Sequence, residues 1–257
     1  YSNGSNNLSD TNNLRTSVIN DLNYNSLDYF SNFGSKSNFG LYFKNLNSTG
    51  KNDPVYKSSA NIDAMNLIEI GTSLPLSKTN NKTYEVLTPK LSLRVNPFNN
   101  MKNSSSSSNS ISADNVFNID RLGLSDTFEA GKSLTIGLDY RLELSEKILD
   151  IQSDNFFNKD FNEQVSKSIE FRLASVFRDK EENFISPTST INRTTSNLFG
   201  AMVFNLSENL SFNYNFSLDN DLTSLNSNTI DTILSMNNFV TKFNFSEKND
   251  ELGSSNT

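Results

Sequence analysis

Between Ser133 and Leu144 the chain alternates without a break: Leu134, Ile136, Leu138, Tyr140, Leu142 and Leu144 are apolar or aromatic, and the residues between them are Ser, Thr, Gly, Asp, Arg or Glu. A helix, with 3.6 residues per turn, would scatter this pattern around its circumference. An extended strand points successive side chains to opposite faces and so sorts it into one apolar and one wet face. The period returns at Leu210–Asp219. Lys167–Phe177 sets Ile169, Phe171, Leu173 and Phe177 against Glu170 and Arg172, and Leu87–Val95 sets Leu87, Leu91, Leu93 and Val95 against Lys90, Ser92 and Arg94. Weaker copies near 16–25, 37–46, 61–76, 197–206, 223–236 and 239–247 bring the expected total to about ten strands.

The connections separate into two kinds. Ser207-Glu208-Asn209, Asn237-Asn238 and Asn80-Asn81 are short and hold residues that tolerate left-handed backbone, as tight hairpins require. Polar stretches near 47–60, 98–132 and 179–196 are long, and the second carries the Ser104–Ser108 run. Short turns on one rim and long loops on the other predict an antiparallel up-and-down meander of barrel type. The 145–166 connection departs from this, since parity places a long insertion on the short-turn rim.

Alternation alone leaves open which solvent meets the apolar face, because a half-buried antiparallel sandwich has the same period. Strand length favours a membrane. About 11 residues at ~3.3 Å each rise roughly 36 Å, which a tilt near 45° projects to about 25 Å, the height of an outer-membrane apolar band. Soluble strands average about 5 to 6 residues. Composition agrees: 35% hydrophobic content leaves a thin core for a globule of 257 residues, while 20 Phe and 8 Tyr exceed what solvated tails carry. A barrel with a wet interior and polar loops accounts for both. The absence of Trp counts mildly against it, since interfacial girdles favour Trp and Tyr. No run reaches the ~18 to 20 apolar residues of a spanning helix. With no Cys and no His, thiolate and imidazole chemistry, disulfides and nearly all zinc sites are excluded, and a net charge of −7 without a basic stripe argues against nucleic acid. The chain begins at Tyr1 and ends in a polar stretch, 247–257, so it reads as an internal fragment, with 1–257 as one partial barrel domain.

Specific words then emerge along the chain. Leu87-Thr88-Pro89-Lys90-Leu91-Ser92-Leu93-Arg94-Val95-Asn96-Pro97-Phe98 is followed by Asn115-Val116-Phe117-Asn118-Ile119-Asp120-Arg121-Leu122-Gly123-Leu124-Ser125-Asp126 and by Glu129-Ala130-Gly131-Lys132-Ser133-Leu134-Thr135-Ile136-Gly137-Leu138-Asp139-Tyr140. Phe177-Arg178-Asp179-Lys180, Pro187-Thr188-Ser189-Thr190 and Ser196-Asn197-Leu198-Phe199-Gly200 come next. In this order they resemble the LPS-assembly outer-membrane protein (LptD, organic solvent tolerance) family and cover most of 85–220. The resemblance implies a transmembrane β-barrel of the cell outer membrane. Such a barrel takes lipopolysaccharide from an LptA-like periplasmic bridge and inserts it into the outer leaflet, with an LptE-like lipoprotein plugging the lumen. It implies lipid export without covalent chemistry, hence no enzyme activity and no cofactor. About ten strands would be only part of such a barrel, so an open curved sheet is the alternative form for this fragment. Family members that tie the barrel to a periplasmic domain use cysteines, which this chain lacks.

Candidate site residues follow from the two faces. Asp139, Arg141, Glu143, Glu170 and Arg172 are expected to face the lumen, either solvating the wall or meeting the sugar core of a passing lipid. Leu134, Ile136, Leu138, Tyr140 and Leu142 are expected to face lipid. Val116, Phe117, Ile119, Leu122 and Leu124 lie in an otherwise Asn/Ser-rich loop and need a cover. That loop is expected to fold over or into the barrel mouth, with Phe117, Arg121, Leu122 and Asp126 contacting the plug, or to pack on itself. Gly137 and Gly200 are read as points of close backbone approach or of a bend. Glu181-Glu182, in a polar loop, lacks the desolvation that would make an acid–base pair. No catalytic or metal site is expected. The competing functions are a porin-like or receptor barrel for solute uptake, and a soluble β-rich adhesin module.

Overall fold

The computed structural model describes residues 14–98, 109–144, 167–207, 209–250 and 253–256. Ten long strands carry the alternation: β1 (Leu14–Asn25), β3 (Lys36–Lys51), β4 (Asn61–Ser73), β6 (Thr83–Asn96), β7 (Gly131–Leu144), β8 (Lys167–Arg178), β9 (Leu198–Ser207), β10 (Leu210–Leu218), β11 (Leu225–Met236) and β12 (Phe239–Asp250). Three short strands, β2 (Tyr29–Phe30), β5 (Leu76–Thr79) and β13 (Gly253–Asn256), add local pairings and raise the total to thirteen. Each long strand pairs antiparallel with the next, giving an open up-and-down sheet with β1 at one edge and β12–β13 at the other.

Register shows why the sheet holds. Across seven strands, Leu87, Tyr140, Phe171, Met202, Tyr214, Ile230 and Phe245 stand opposite one another in one row. One residue along, Val86, Arg141, Glu170, Val203, Asn213, Asp231 and Asn244 form a mostly polar row on the other face. A slip of one residue would exchange the faces of every strand, so the alternation itself fixes the pairing. Cross-strand aromatic contacts such as Phe204–Phe212, 5.9 Å between ring centroids, add to the apolar row.

The apolar face is bare. Phe39, Ile70, Leu93 and Ile136 are all exposed, and Ile136 at the sheet centre keeps 46% of its surface open. The polar face is covered between β6 and β9, where the 109–130 and 179–197 connections fold down onto it. Their apolar residues Ile111, Val116, Leu122, Ile185 and Ile191 close over Ala174, Val176, Phe199 and Ala201 of β8 and β9. The core of the molecule therefore lies on the side of the sheet that carries the charges.

Several boundaries differ from the expected ones. β3 runs five residues into the expected 47–60 connection, because Asn47 and Ser48 still pair with both β1 and β4, and Thr49, Gly50 and Lys51 with β1. β12 continues to Asp250 and β13 pairs back on it, so much of the polar 247–257 end is strand. The Asn237-Asn238 turn is a two-residue hairpin with Met236 opposite Phe239 and Asn237 at φ 52°. The expected 145–166 insertion and the Ser104–Ser108 run lie outside the described residues.

Candidate functional site

The centre of the covered face is a cluster of buried charges. Glu129, just before β7, receives Arg121 Nε on Oε2 at 2.6 Å, and Arg121 Nη2 and Arg178 Nη2 both donate to its Oε1. Arg94 of β6 stands 3.9 Å away and donates to Glu69 of β4 at 3.1 Å. Burial by itself pushes the Glu129 carboxyl up, but Arg121, Arg178 and Arg94 outweigh it and hold it at about 2. A carboxylate surrounded by three guanidinium groups stays charged, which is the condition under which so much charge is tolerated away from water.

Further guanidinium hydrogens bind the loops to the sheet. Arg121 donates to Val116 O at 3.1 Å, Thr135 Oγ1 at 2.9 Å and Ser133 Oγ at 3.0 Å. Arg94 donates to Phe117 O and Asn118 O at 2.7 and 2.8 Å, and Arg178 to Ala130 O at 2.9 Å and to Ile191 O. Loop carbonyls that would otherwise be buried unpaired are thus satisfied by Arg94 and Arg178 from the strands and by Arg121 from the loop itself. Phe117 packs over Gly137, where an added Cβ would come within 2.7 Å of its ring. That is the close approach expected at this glycine. A bonded chain joins the edge strand to the same loop: Arg15 of β1 holds Asp53 at 2.7 Å, and Tyr56 donates to Asp126 at 3.1 Å. The Arg15 hydrogen bond lowers the Asp53 carboxyl to about 2.

The structure places the five polar candidates on one face. Asp139 pairs with Lys90, Arg141 with Glu143 at 2.5 Å and Glu170 at 3.3 Å, and Arg172 with Asp114 of the loop. Leu134, Ile136, Leu138, Tyr140 and Leu142 lie together on the opposite face. Of the loop candidates, Arg121, Leu122 and Asp126 are buried by the chain's own strands and loops, and Phe117 is partly buried. Gly200 faces the Phe216 ring at close range. Glu182 is buried beside Gly131, while Lys180 reaches it from solvent at 3.5 Å.

The alternation did not single out Arg94, Glu129 and Arg178 as a set, because they come from a strand, a loop end and a strand terminus. One signal was present in the sequence: all three sit in the words that carry the family resemblance. Ser196, another such position, accepts the Val176 N–H at 2.9 Å, and Asn197 is fully buried. Among the described residues no acidic group of three or more is placed to hold a metal ion.

Two cavities flank the cluster on the covered face. One of about 280 Å³ lies between Tyr42 and Lys44 of β3 and the 119–129 segment, and one of about 930 Å³ lies between the 187–190 turn and the ends of β10–β12. No protein-family model and no curated protein matches the chain.

Proposed function

We propose that this chain is part of an outer-membrane β-barrel that inserts lipopolysaccharide into the outer leaflet, without enzymatic activity. The observation that supports this is the orientation of the sheet. Apolar rows several strands wide stand open, whereas the charged face between β6 and β9 is covered by the chain's own loops. A water-soluble monomer rarely leaves more than a few hundred Å² of contiguous apolar surface exposed. Hydrocarbon is the solvent in which this arrangement is stable, and strands of 9 to 16 residues in the ten-strand series are long enough to cross its core. The resemblance words supply the choice of lipopolysaccharide over other cargo. With it come the LptA-like bridge and the LptE-like plug, which would approach the loop layer from its solvent side, where Phe184 and Ser125 remain exposed.

Spin labels at 138 and 139 in the bilayer-reconstituted protein test the membrane reading. Lipid-soluble oxygen is expected to reach 138 and a water-soluble quencher 139; a label at 138 hidden from both, in a protein monomeric in plain buffer, overturns it. Depletion separates cargoes: stalled lipopolysaccharide delivery is expected, and loss of small-solute uptake with normal delivery would assign a porin instead.

A further inference from the structure

The turn between β1 and β3, residues 26–35 with β2 inside it, holds its apolar side chains outward: Leu27, Tyr29, Phe30 and Phe33 are between 65% and 93% exposed. They do not form one side of a wall. Tyr29 stands opposite Ser37 and shares the bare face with Phe39, whereas Phe30 stands opposite Lys36 on the other face, and Phe33 lies at the tip beside Gly34. A turn that is apolar on both faces and at its end suits a medium that surrounds it more than a neighbour that covers one side.

Its polar groups are bonded to one another. Ser35 N–H donates to Ser31 Oγ at 3.1 Å, the two hydroxyls lie 2.7 Å apart, and the N–H groups of Ser31 and Gly34 donate to Ser35 O and Ser31 O. Ser26 exchanges two bonds with Phe39, donating its N–H and accepting on Oγ. Asp28 is the one charged residue of the turn, and Lys36 at 2.9 Å and Asn38 at 3.2 Å hold its carboxylate. The result is a braced knob without net charge, which gives up few bonds to water on entering a layer poorer in it. Tyr24 and Phe39, with rings 5.8 Å apart, join the knob to the bare apolar face. On the same rim the β11–β12 hairpin repeats the pattern with Met236, Phe239 and Val240 exposed, while the 219–224 turn on the opposite rim has Leu222 as its one apolar residue.

We propose that the 26–35 turn is a membrane-interface anchor, set among the headgroups and first acyl carbons of phospholipid on the short-turn side of the bilayer. Aromatic rings are favoured at that level. With Asp28 cancelled by Lys36, the contact needs no anionic lipid. The proposal deepens the membrane reading and rests on it. The chain has no Trp, so Phe33→Trp and Phe30→Trp each introduce a sole reporter at an exposed position. The full chain is reconstituted in phosphatidylcholine bilayers whose acyl chains carry bromine at a shallow or a deep carbon. Both reporters are expected to emit at short wavelength and to be quenched at least about twofold more by shallow than by deep bromine, with no change at high salt. Phe33→Trp decides if the two differ. Leu222→Trp is expected to respond to aqueous acrylamide instead, and bromine quenching there equal to that at 33 overturns the proposal. So does a reporter at 33 open to acrylamide and untouched by bromine. Short-wavelength emission that neither agent quenches overturns it too and assigns the knob to a protein contact. Leu138→Trp tells the two failures apart: deep-bromine quenching at 138 with water at 33 removes the anchor alone, and no bromine quenching at 138 removes the membrane reading itself.

Discussion

The β6–β9 centre and the β10–β12 flank share the same alternation and the same bare apolar face, yet among the described residues only the centre is filled on the polar side. There, two long connections carry apolar residues and arginines down onto the sheet, and Glu129 joins them. On the flank the connections are short, and the polar row of Asn213, Asp231 and Asn244 has no loop layer above it among the described residues. The same period thus supports two kinds of stability: one internal, from packing and paired charges, and one that, on the proposed membrane reading, is borrowed from lipid on one face and water on the other. Changes aimed at the two regions should separate them.

Glu129→Gln carries the largest expected effect, about 3 to 5 kcal/mol, because Arg121, Arg178 and Arg94 remain buried around a group that no longer neutralises them. Urea unfolding in detergent micelles measures it, and a loss below 1 kcal/mol would show that the cluster is not what holds the loops. The same residue sets an acid response. Its folded carboxyl lies near 2 against 4.5 for the free group, so its contribution is complete above about 4.5 and is lost as pH falls toward 2. Loop-layer fluorescence should change in that window, while flank labels should not.

Leu138→Arg should cost about 2 to 4 kcal/mol in a bilayer, against a mild effect of Asp139→Ser. Equal costs in the two variants would mean that the faces do not meet different solvents. Gly137→Val should cost roughly 1 to 3 kcal/mol by displacing Phe117, and Phe117→Ala in the same chain should recover part of it. Asn213→Ala on the flank should stay within about 0.5 kcal/mol. A larger loss there would place a hidden partner on the open row.

The ten long strands and their faces were legible because period 2 is a local property: Leu134 to Leu144 states its own geometry. The three short strands were not, since two to four residues such as Tyr29-Phe30 are strands only by virtue of a neighbour. β3 illustrates the same limit, as Asn45, Asn47 and Thr49 interrupt the apolar row and the ladder continues through them on pairing alone. The loop's need for cover was visible in Val116 and Leu122. The identity of that cover was not, because Ala174, Val176, Ile185 and Ile191 come from elsewhere in the chain and no spacing rule connects them. The Lys90–Asp139 and Arg172–Asp114 pairs were hidden for the same reason, since register and loop path decide which charges meet.

The bond from Arg178 to Glu129 spans 49 positions of sequence and crosses from the hairpin of β8 and β9 to the one of β6 and β7. Neither hairpin can open at its loop end without breaking it, so the four strands should rise and melt as one cooperative block. In hydrogen exchange, amides of Thr135 and Val176 would then share a single opening free energy, while those of β11 and β12 exchange on their own schedule.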